Sequence, residues 1–266
     1  MALIDMEDYS RTVDLISQVS VILPLDDGSE PLPVLWLLPD YAESERDWYR
    51  FTNVERYAQE NGVAVVMMHG WMSYYCDMTW GPNFYKYISQ ELVENMRYCF
   101  TRLSHDKKDN HIAGYMLGGQ GALEIGIRNP DKYASITLLS CGGTIPGLSP
   151  VKKIYPPAGG PEKMSVNKVN YGVDDVDEAV GTQYDLAKRI RELDVPPCDL
   201  PAVFHVASGA EETFPNDLAL KAFLEGTLGL DGKYSYTAVS ELSGWDYRDL
   251  WIRKTIERIA AKRRDV

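Results

Sequence analysis

IAGYMLGGQGA, residues 112–122, is the stretch that decides the fold of this chain. An apolar run up to Tyr115 predicts a short strand, the glycines after it predict a tight turn, and the remaining residues predict a helix. Gly114 and Gly118 stand where such a turn brings two backbone segments together and leaves no room for a side chain. The sequence therefore predicts a strand–turn–helix unit with Met116 at its tip.

The spacing of these glycines is that of a nucleophile elbow, the G-x-S-x-G turn that exposes a catalytic serine between a strand and a helix. Met116 stands at the serine position. A thioether has no proton to lose and cannot attack a carbonyl as an activated hydroxyl does. The turn is therefore predicted to be present without its reactive oxygen.

Composition and charge limit the classes of protein to which this chain can belong. The chain has 266 residues, of which 45% are hydrophobic and 25% charged, values typical of a soluble globular protein. Its 39 acidic and 27 basic residues give a net charge of −12. Such a surface repels nucleic acid and anionic membranes, so neither is expected as a partner. The four cysteines lack zinc-like spacing, and neither a metal nor a cofactor is expected. No leader or membrane-length apolar run is visible, and a cytoplasmic location is expected.

Strand and helix signals alternate along the chain. The predicted strands are residues 9–17, 19–23, 33–38, 63–68, 111–116, 136–139, 202–207 and 234–239. The predicted helices are residues 52–61, 85–103, 121–129, 183–193, 216–228 and 247–261. This alternation predicts one α/β domain over residues 1–266, with a mostly parallel central sheet, helices on both faces and an antiparallel pair at one edge. Residues 142–194 are rich in Gly, Pro and charge and are predicted to form a cap-like insertion over the sheet.

Five segments spread along the chain share a further pattern: PVLWLL (33–38), DW (47–48) with TN (52–53), DM (77–78), IAG (112–114) with LGG (117–119), and GWDY (244–247). With them, the chain resembles the tributyrin esterase / esterase D family of the α/β-hydrolase superfamily over nearly its whole length. The resemblance implies the α/β-hydrolase fold and a serine esterase whose nucleophile, acid and histidine follow in that order. Because relatives in this family are often oligomeric, the resemblance also implies a homo-oligomer.

The resemblance places each catalytic position on a residue of this chain. The nucleophile position is Met116, the acid is Glu212 and the base is Trp245. An indole N–H only donates, so Trp245 cannot accept a proton from a nucleophile. The oxyanion loop, usually His-Gly, is Pro39-Asp40. Proline supplies no backbone N–H, and a carboxylate repels a developing oxyanion. Nucleophile, base and oxyanion loop are therefore all predicted to be altered.

One alternative site lies at the carboxyl ends of the parallel strands, the place where ligands bind in such folds and which we call the mouth of the sheet. His69 is the one histidine predicted to lie there, since His111 opens a strand, His205 lies within one and His105 lies in a charged loop. A pocket of His69, Trp71, Tyr74 and Leu117 would accept a small-molecule ligand. The aromatic residues, with Tyr75, are equally consistent with a cover over the sheet edge.

Two further alternatives concern nucleophiles and acidic loops. Ser140 and Cys141 follow a predicted strand and offer a substitute nucleophile, or simply a packed strand end. Several acidic residues are predicted to lie near the mouth: Asp40, Glu43, Glu45, Glu211 and Glu212. They would either bind a cation or amine together or lie in solvated loops.

These observations favour a catalytically impaired esterase homologue with a binding, regulatory or structural role. The alternative is a carboxylesterase-like hydrolase that acts on short-chain esters through a remodelled site, with residues such as Glu212 and His69. An ordinary active carboxylesterase would require the elbow to be misaligned.

Overall fold

The computed structural model describes residues 1–26, 28, 30–41, 43–152, 165–228 and 232–264. Within them, eight strands form one sheet in the order β1-β2-β4-β3-β5-β6-β7-β8. The strands are β1 Ala2–Ser10, β2 Leu15–Leu23, β3 Val34–Leu38, β4 Ala64–Met68, β5 Asn110–Tyr115, β6 Ser135–Leu139, β7 Ala202–Ser208 and β8 Tyr234–Val239. Strands β3 to β8 are parallel, and β1 and β2 form an antiparallel hairpin at one edge. The predicted mostly parallel sheet with an antiparallel edge is confirmed.

Helices connect the strands and cover the sheet. They are α1 Asp47–Phe51, α2 Val54–Asn61, α3 Phe84–Lys86, α4 Leu92–Cys99, α5 Leu117–Arg128, α6 Val166–Tyr171, α7 Leu186–Arg191, α8 Phe214–Thr227 and α9 Gly244–Arg264. A π-helical turn, Tyr87–Glu91, joins α3 to α4. Short 3-10 turns lie at Lys107–Asp109, Val176–Ala179 and Pro197–Asp199. None of the helices in the described ranges is long and apolar enough to cross a membrane.

Strand β3 is buried on both faces of the sheet. Val34, Trp36 and Leu38 belong to the core that contains residues of α4, α5 and α8. Leu35 and Leu37 belong to the core that contains residues of α2 and α9. A strand covered by helices on both sides needs an apolar residue at every position, which explains its continuous apolar sequence. The prediction of helices on both faces is confirmed.

The predicted first strand, residues 9–17, is wrong. β1 ends at Ser10, and residues 11–14 turn the chain, with Asp14 at a φ of 52°. The carboxylate of Glu91 accepts hydrogen bonds from the backbone N–H groups of Arg11 and Thr12 at 2.8 and 2.9 Å. The Ser10 hydroxyl oxygen also accepts the N–H groups of Thr12 and Val13, both at 3.2 Å, so a local and a distant side chain together hold this turn.

Three predicted helices have different bounds. Residues 85–103 form a helix that ends at Cys99, and the helix predicted at 121–129 begins at Leu117 because Met116 alone makes the turn. The helix predicted at 183–193 is only Leu186–Arg191, since the Asp185 side chain accepts the N–H of Lys188 and starts it there. The helices α1 and α6 were not predicted.

The segment predicted to be a cap-like insertion, residues 142–194, packs against α5 over its described part. Arg189 forms an ion pair with Glu124 at 2.5 Å, and Gln120 donates to the Tyr171 hydroxyl at 3.0 Å. Part of this segment, residues 153–164, lies outside the described residues. The described part therefore rests on the helix that follows Met116.

Two histidines lie inside the protein. His205 is fully buried, with Nε2 2.9 Å from Asp217 Oδ1 and Nδ1 3.0 Å from the Tyr234 hydroxyl oxygen. His111, near the start of β5, has Nδ1 2.8 Å from Ser135 Oγ. Burial, together with the nearby cations Lys262 and Arg258, lowers the pKa of His111 to about 3.

His111 is expected to make the protein sensitive to acid. The folded chain holds it neutral while the unfolded chain binds a proton below about pH 6.5, so the free energy of unfolding falls as the pH drops from 6.5 towards 3. The loss should reach about 3 kcal/mol at pH 4. Urea unfolding at pH 7 and pH 4 should show a smaller difference in His111→Gln than in the parent. The exposed His105 provides the control, because His105→Gln should leave the difference unchanged.

Candidate active site

The turn between β5 and α5 has the geometry of a nucleophile elbow. Met116 lies at φ 50° and ψ −113°, a backbone conformation that non-glycine residues rarely adopt. A Cβ on Gly114 would lie 2.1 Å from the backbone carbonyl carbon of Gly118. A Cβ on Gly118 would lie 2.4 Å from the backbone oxygens of Leu38 and Pro39. Both glycines are therefore required by the close approach of β3, β5 and α5.

The side chain of Met116 is buried among apolar groups. It is only 4% exposed and belongs to a core cluster with Trp48 and Tyr115, against which Trp245 packs. The hydroxyl of Thr213 donates to its sulfur at 3.3 Å. A buried thioether offers no nucleophile and is not accessible to a substrate from solvent.

A carboxylate lies where an esterase would stabilise its oxyanion. The backbone N–H of Leu117, the residue after the nucleophile position, donates to Asp40 Oδ1 at 3.1 Å. The backbone N–H of Asp40 donates in turn to Glu43 Oε2 at 3.0 Å. Pro39 has no N–H, and its carbonyl accepts the hydroxyl of Tyr75 at 2.6 Å. These two loop amides are therefore already bonded to carboxylates of the chain itself.

Arg248 holds this acidic loop in place. Its Nη1 lies 2.7 and 2.9 Å from the two carboxylate oxygens of Glu43, and its side chain is 7% exposed. The guanidinium stacks on the rings of Tyr115 and Trp245, 3.5 and 4.0 Å from their centroids. Burial raises the pKa of Glu43, while Arg248 opposes that rise. Of the five acidic residues predicted to lie near this site, Glu43 is thus paired with an arginine of the chain itself.

The positions assigned to the acid and the base do not form a proton relay. Glu212 is exposed, whereas its neighbour Glu211 turns inward and accepts from the Tyr115 hydroxyl and the Gly244 N–H, both at 3.0 Å. Trp245 packs edge-on against Trp48, with ring centroids 5.8 Å apart. The three residues that the resemblance assigns to the triad, Met116, Glu212 and Trp245, are therefore a buried thioether, an exposed carboxylate and a packed indole.

A family model matches the part of the chain that contains the elbow. The Esterase family model matches residues 10–153, slightly more than half of the chain. The chain belongs to this esterase family. It is also 23% identical to an acetyl esterase of Caldicellulosiruptor saccharolyticus, over 97% of each chain. The elbow, β3 and the Pro39-Asp40 loop all lie within the matched range.

Solved structures support the same architecture for this esterase family member. FphF, a fluorophosphonate-binding serine hydrolase of Staphylococcus aureus, is 24% identical with a TM-score of 0.81, over 97% of this chain and 98% of that chain. The S-formylglutathione hydrolase FrmB of Staphylococcus aureus is 23% identical with a TM-score of 0.76, over the same shares. With the eight-stranded sheet, these likenesses confirm the α/β-hydrolase fold.

The other predicted pocket residues lie in two places. His69 and Trp71 line a cavity of about 160 Å³ with Ile16 and Gln18. Burial lowers the pKa of His69, although Glu45, 3.9 Å from Nδ1, opposes the shift. Tyr74 and Leu117 instead belong to a separate apolar cluster. His69 and Trp71 thus line one cavity, whereas Tyr74 and Leu117 lie in a different apolar cluster.

The candidate substitute nucleophiles are engaged in packing. Ser140, at φ 44°, accepts the backbone N–H of Ser208 at 3.2 Å through its hydroxyl oxygen. Cys141 is fully buried, and burial raises the pKa of its thiol, which keeps the thiolate unfavourable. The carboxylate of Asp217, which is near Cys141, raises the pKa of the thiol further and pairs with His205.

Arg248 and Thr213 are the site residues that sequence reasoning missed, and Glu211, predicted only as one of the acidic residues nearby, takes the inward position expected of Glu212. Arg248 and Glu43 are 205 positions apart, and Thr213 and Met116 are 97 apart. No motif joins such pairs in one sequence. Among the described residues, no group of three or more His, Cys, Asp or Glu side chains is placed to hold a metal ion.

Proposed function

We propose that this member of the esterase family is a pseudo-esterase, an impaired homologue with a binding, regulatory or structural role. The observation that carries the proposal is the hydrogen bond from the Leu117 N–H to the Asp40 carboxylate, 3.1 Å long. A negative charge at that amide excludes the oxyanion that ester hydrolysis must form there. Met116 and Trp245 at the nucleophile and base positions support the same conclusion.

The expected loss of activity is large. Removing the triad of a serine hydrolase costs roughly 10⁶ in turnover, and removing one oxyanion donor costs roughly 10² to 10³. With both changes, little or no acceleration over uncatalysed hydrolysis is expected. We therefore expect the role of the chain to rest on its folded surface.

The turnover of p-nitrophenyl acetate tests the proposal. The purified chain should hydrolyse it no faster than buffer. Asp40→Ala and Glu211→Gln, purified in the same way, provide the controls for contaminating esterase. Turnover that exceeds buffer in the parent and falls in either variant would overturn the proposal, and would favour a hydrolase of short-chain esters with a remodelled site.

The assignment of the altered positions can be tested by rebuilding them. The variant with Met116→Ser, Trp245→His, Pro39→His and Asp40→Gly removes the carboxylate from the Leu117 N–H and supplies a hydroxyl and an imidazole. It should hydrolyse p-nitrophenyl acetate faster than the parent. A variant that folds, by circular dichroism, without any gain would contradict the assigned positions.

We extend the proposal to residues 142–194 as a cap-like insertion within one domain of residues 1–266. The contacts of Arg189 with Glu124 and of Gln120 with Tyr171 support it, because they hold the described part of this segment against α5. A small-molecule ligand and self-association remain proposals for the cap and the outer surface, as does a cytoplasmic location.

A further inference from the structure

A cavity of about 660 Å³ lies at the amino ends of the parallel strands, whereas Met116 lies at their carboxyl ends. Its walls include Ala134 before β6, Ala202 at the start of β7 and Tyr234 at the start of β8. Because β5 to β8 are parallel, their amino ends lie on the same side of the sheet, and Met116 follows the opposite, carboxyl end of β5. The volume lies in the range that holds small organic molecules. The cavity is therefore separate from the candidate active site.

Four lysines line this cavity, and none of the described residues lining it is acidic: Lys107, Lys108, Lys233 and Lys262. The chain as a whole carries a net charge of −12. Lys107 and Lys233 donate to the backbone carbonyls of Asp199 and Leu200, at 2.9 and 3.0 Å, and these acceptors carry no net charge. Clustered like charges repel one another unless an anion lies between them.

Arg258 adds a cation behind the cavity wall. Its guanidinium lies 3.5 Å from the ring centroid of Phe204, a wall residue, and donates to Thr137 Oγ1 at 2.7 Å. Burial lowers the pKa of Arg258 to about 10, and no carboxylate in the described part of the chain pairs with it. Lys262 lies over the same ring at 5.8 Å, and burial and Arg258 lower its pKa. Arg258 and Lys262 thus both lie against the ring of Phe204, and neither has an acidic partner among the described residues.

The helix dipole does not account for this arrangement. Cations are favoured in the last turn of a helix, which explains a lysine at the end of α9. Arg258 lies further from the end of α9, whose last residue is Arg264. A buried and uncompensated guanidinium is unfavourable, and an incoming anion would relieve the cost.

We propose that this cavity binds a small organic carboxylate, whose apolar body lies against Phe204 and Leu200 and whose carboxylate lies between Lys107 and Lys262, with the charge of Arg258 behind the wall. Ammonium and guanidinium donors bind carboxylates through charge-assisted hydrogen bonds. The apolar walls favour a hydrocarbon or aryl body over a bare inorganic anion. The proposed function of the elbow has no part in this inference.

Calorimetric titration of the full chain with octanoate, at low salt, tests the proposal. Octanoate should bind saturably, and the neutral analogue octanamide about tenfold more weakly or less. Lys262→Gln should weaken octanoate binding about tenfold, and Lys107→Gln should weaken it in the same direction. Lys254→Gln is the matched control, because Lys254 lies on the same helix but stacks on Trp251, outside the cavity.

Several results would overturn the proposal. Absence of saturable octanoate binding, equal affinity for octanamide, or an equal loss in Lys254→Gln would each do so, provided that thermal melting shows the variants folded.

Discussion

Gly118→Ala should lower the free energy of unfolding by about 3 kcal/mol or more, one of the two largest effects that we expect. A Cβ at this position would lie 2.4 Å from the carbonyl oxygens of Leu38 and Pro39. Both are backbone atoms, so no side-chain rotation relieves the clash, and β3 and α5 must separate. Their separation would also break the hydrogen bond between Leu117 and Asp40.

Urea unfolding followed by circular dichroism measures this effect, with Gly226→Ala as the matched control. Gly226 lies in α8, and a Cβ there would have no atom within 4 Å. An alanine in an exposed helix should raise the free energy of unfolding by about 0.5–1 kcal/mol. A loss below about 1 kcal/mol in Gly118→Ala would show that β3 does not pack this closely on α5.

Arg248→Met should lower the free energy of unfolding by about 3–5 kcal/mol at neutral pH, the other large effect. The substitution removes the partner of Glu43 and leaves a largely buried carboxylate without its cation. The apolar replacement preserves much of the contact with Tyr115 and Trp245. The fall in the free energy of unfolding therefore comes mainly from the unpaired charge of Glu43. Adding Glu43→Gln to Arg248→Met should recover most of the stability, because the buried charge is then absent.

The same variant should become more sensitive to alkaline pH. Burial already raises the folded-state pKa of Glu43 above its ordinary value of 4.5, and loss of Arg248 removes an opposing effect. A carboxyl with a raised folded pKa binds its proton more tightly in the folded chain, so stability falls as the pH rises from 4.5 through the folded pKa. The deficit of Arg248→Met relative to the parent should therefore be smallest near pH 4.5 and largest above pH 7. A deficit independent of pH would contradict the pairing with Glu43.

The architecture was accessible from sequence where the signal is local. The continuous apolar residues of β3 predict burial on both faces, and Gly62 predicts the end of α2, where it lies at φ 64°. The end of β1 was not accessible, because the Glu91 carboxylate that helps to hold the following turn comes from the π-helical turn after α3. The start of α5 was missed because Gly118 and Gly119 are weak helix formers held by packing.

The candidate site shows the same division. The residues at the tip of the elbow and in the oxyanion loop, Met116 and Asp40, could be assigned from motif spacing and resemblance. The contact between Asp40 and the Leu117 N–H was not predicted, because it depends on how the β3 loop folds over α5. Arg248 was missed for a similar reason, since its partners Glu43 and Tyr115 lie far away in the sequence. The sequence predicted that the nucleophile, base and oxyanion loop are altered, whereas the contacts of Asp40 and Arg248 at this site came from the structure alone.

The most direct test of the pseudo-esterase proposal is covalent labelling with a fluorophosphonate probe, followed by intact-protein mass spectrometry. A serine hydrolase with a working nucleophile should be labelled under the same conditions and provides the positive control. Our account predicts no adduct on this chain, because the thioether of Met116 cannot attack phosphorus and the Leu117 amide is bonded to Asp40. An adduct that peptide mapping places on Ser140 or within residues 112–122 would contradict it.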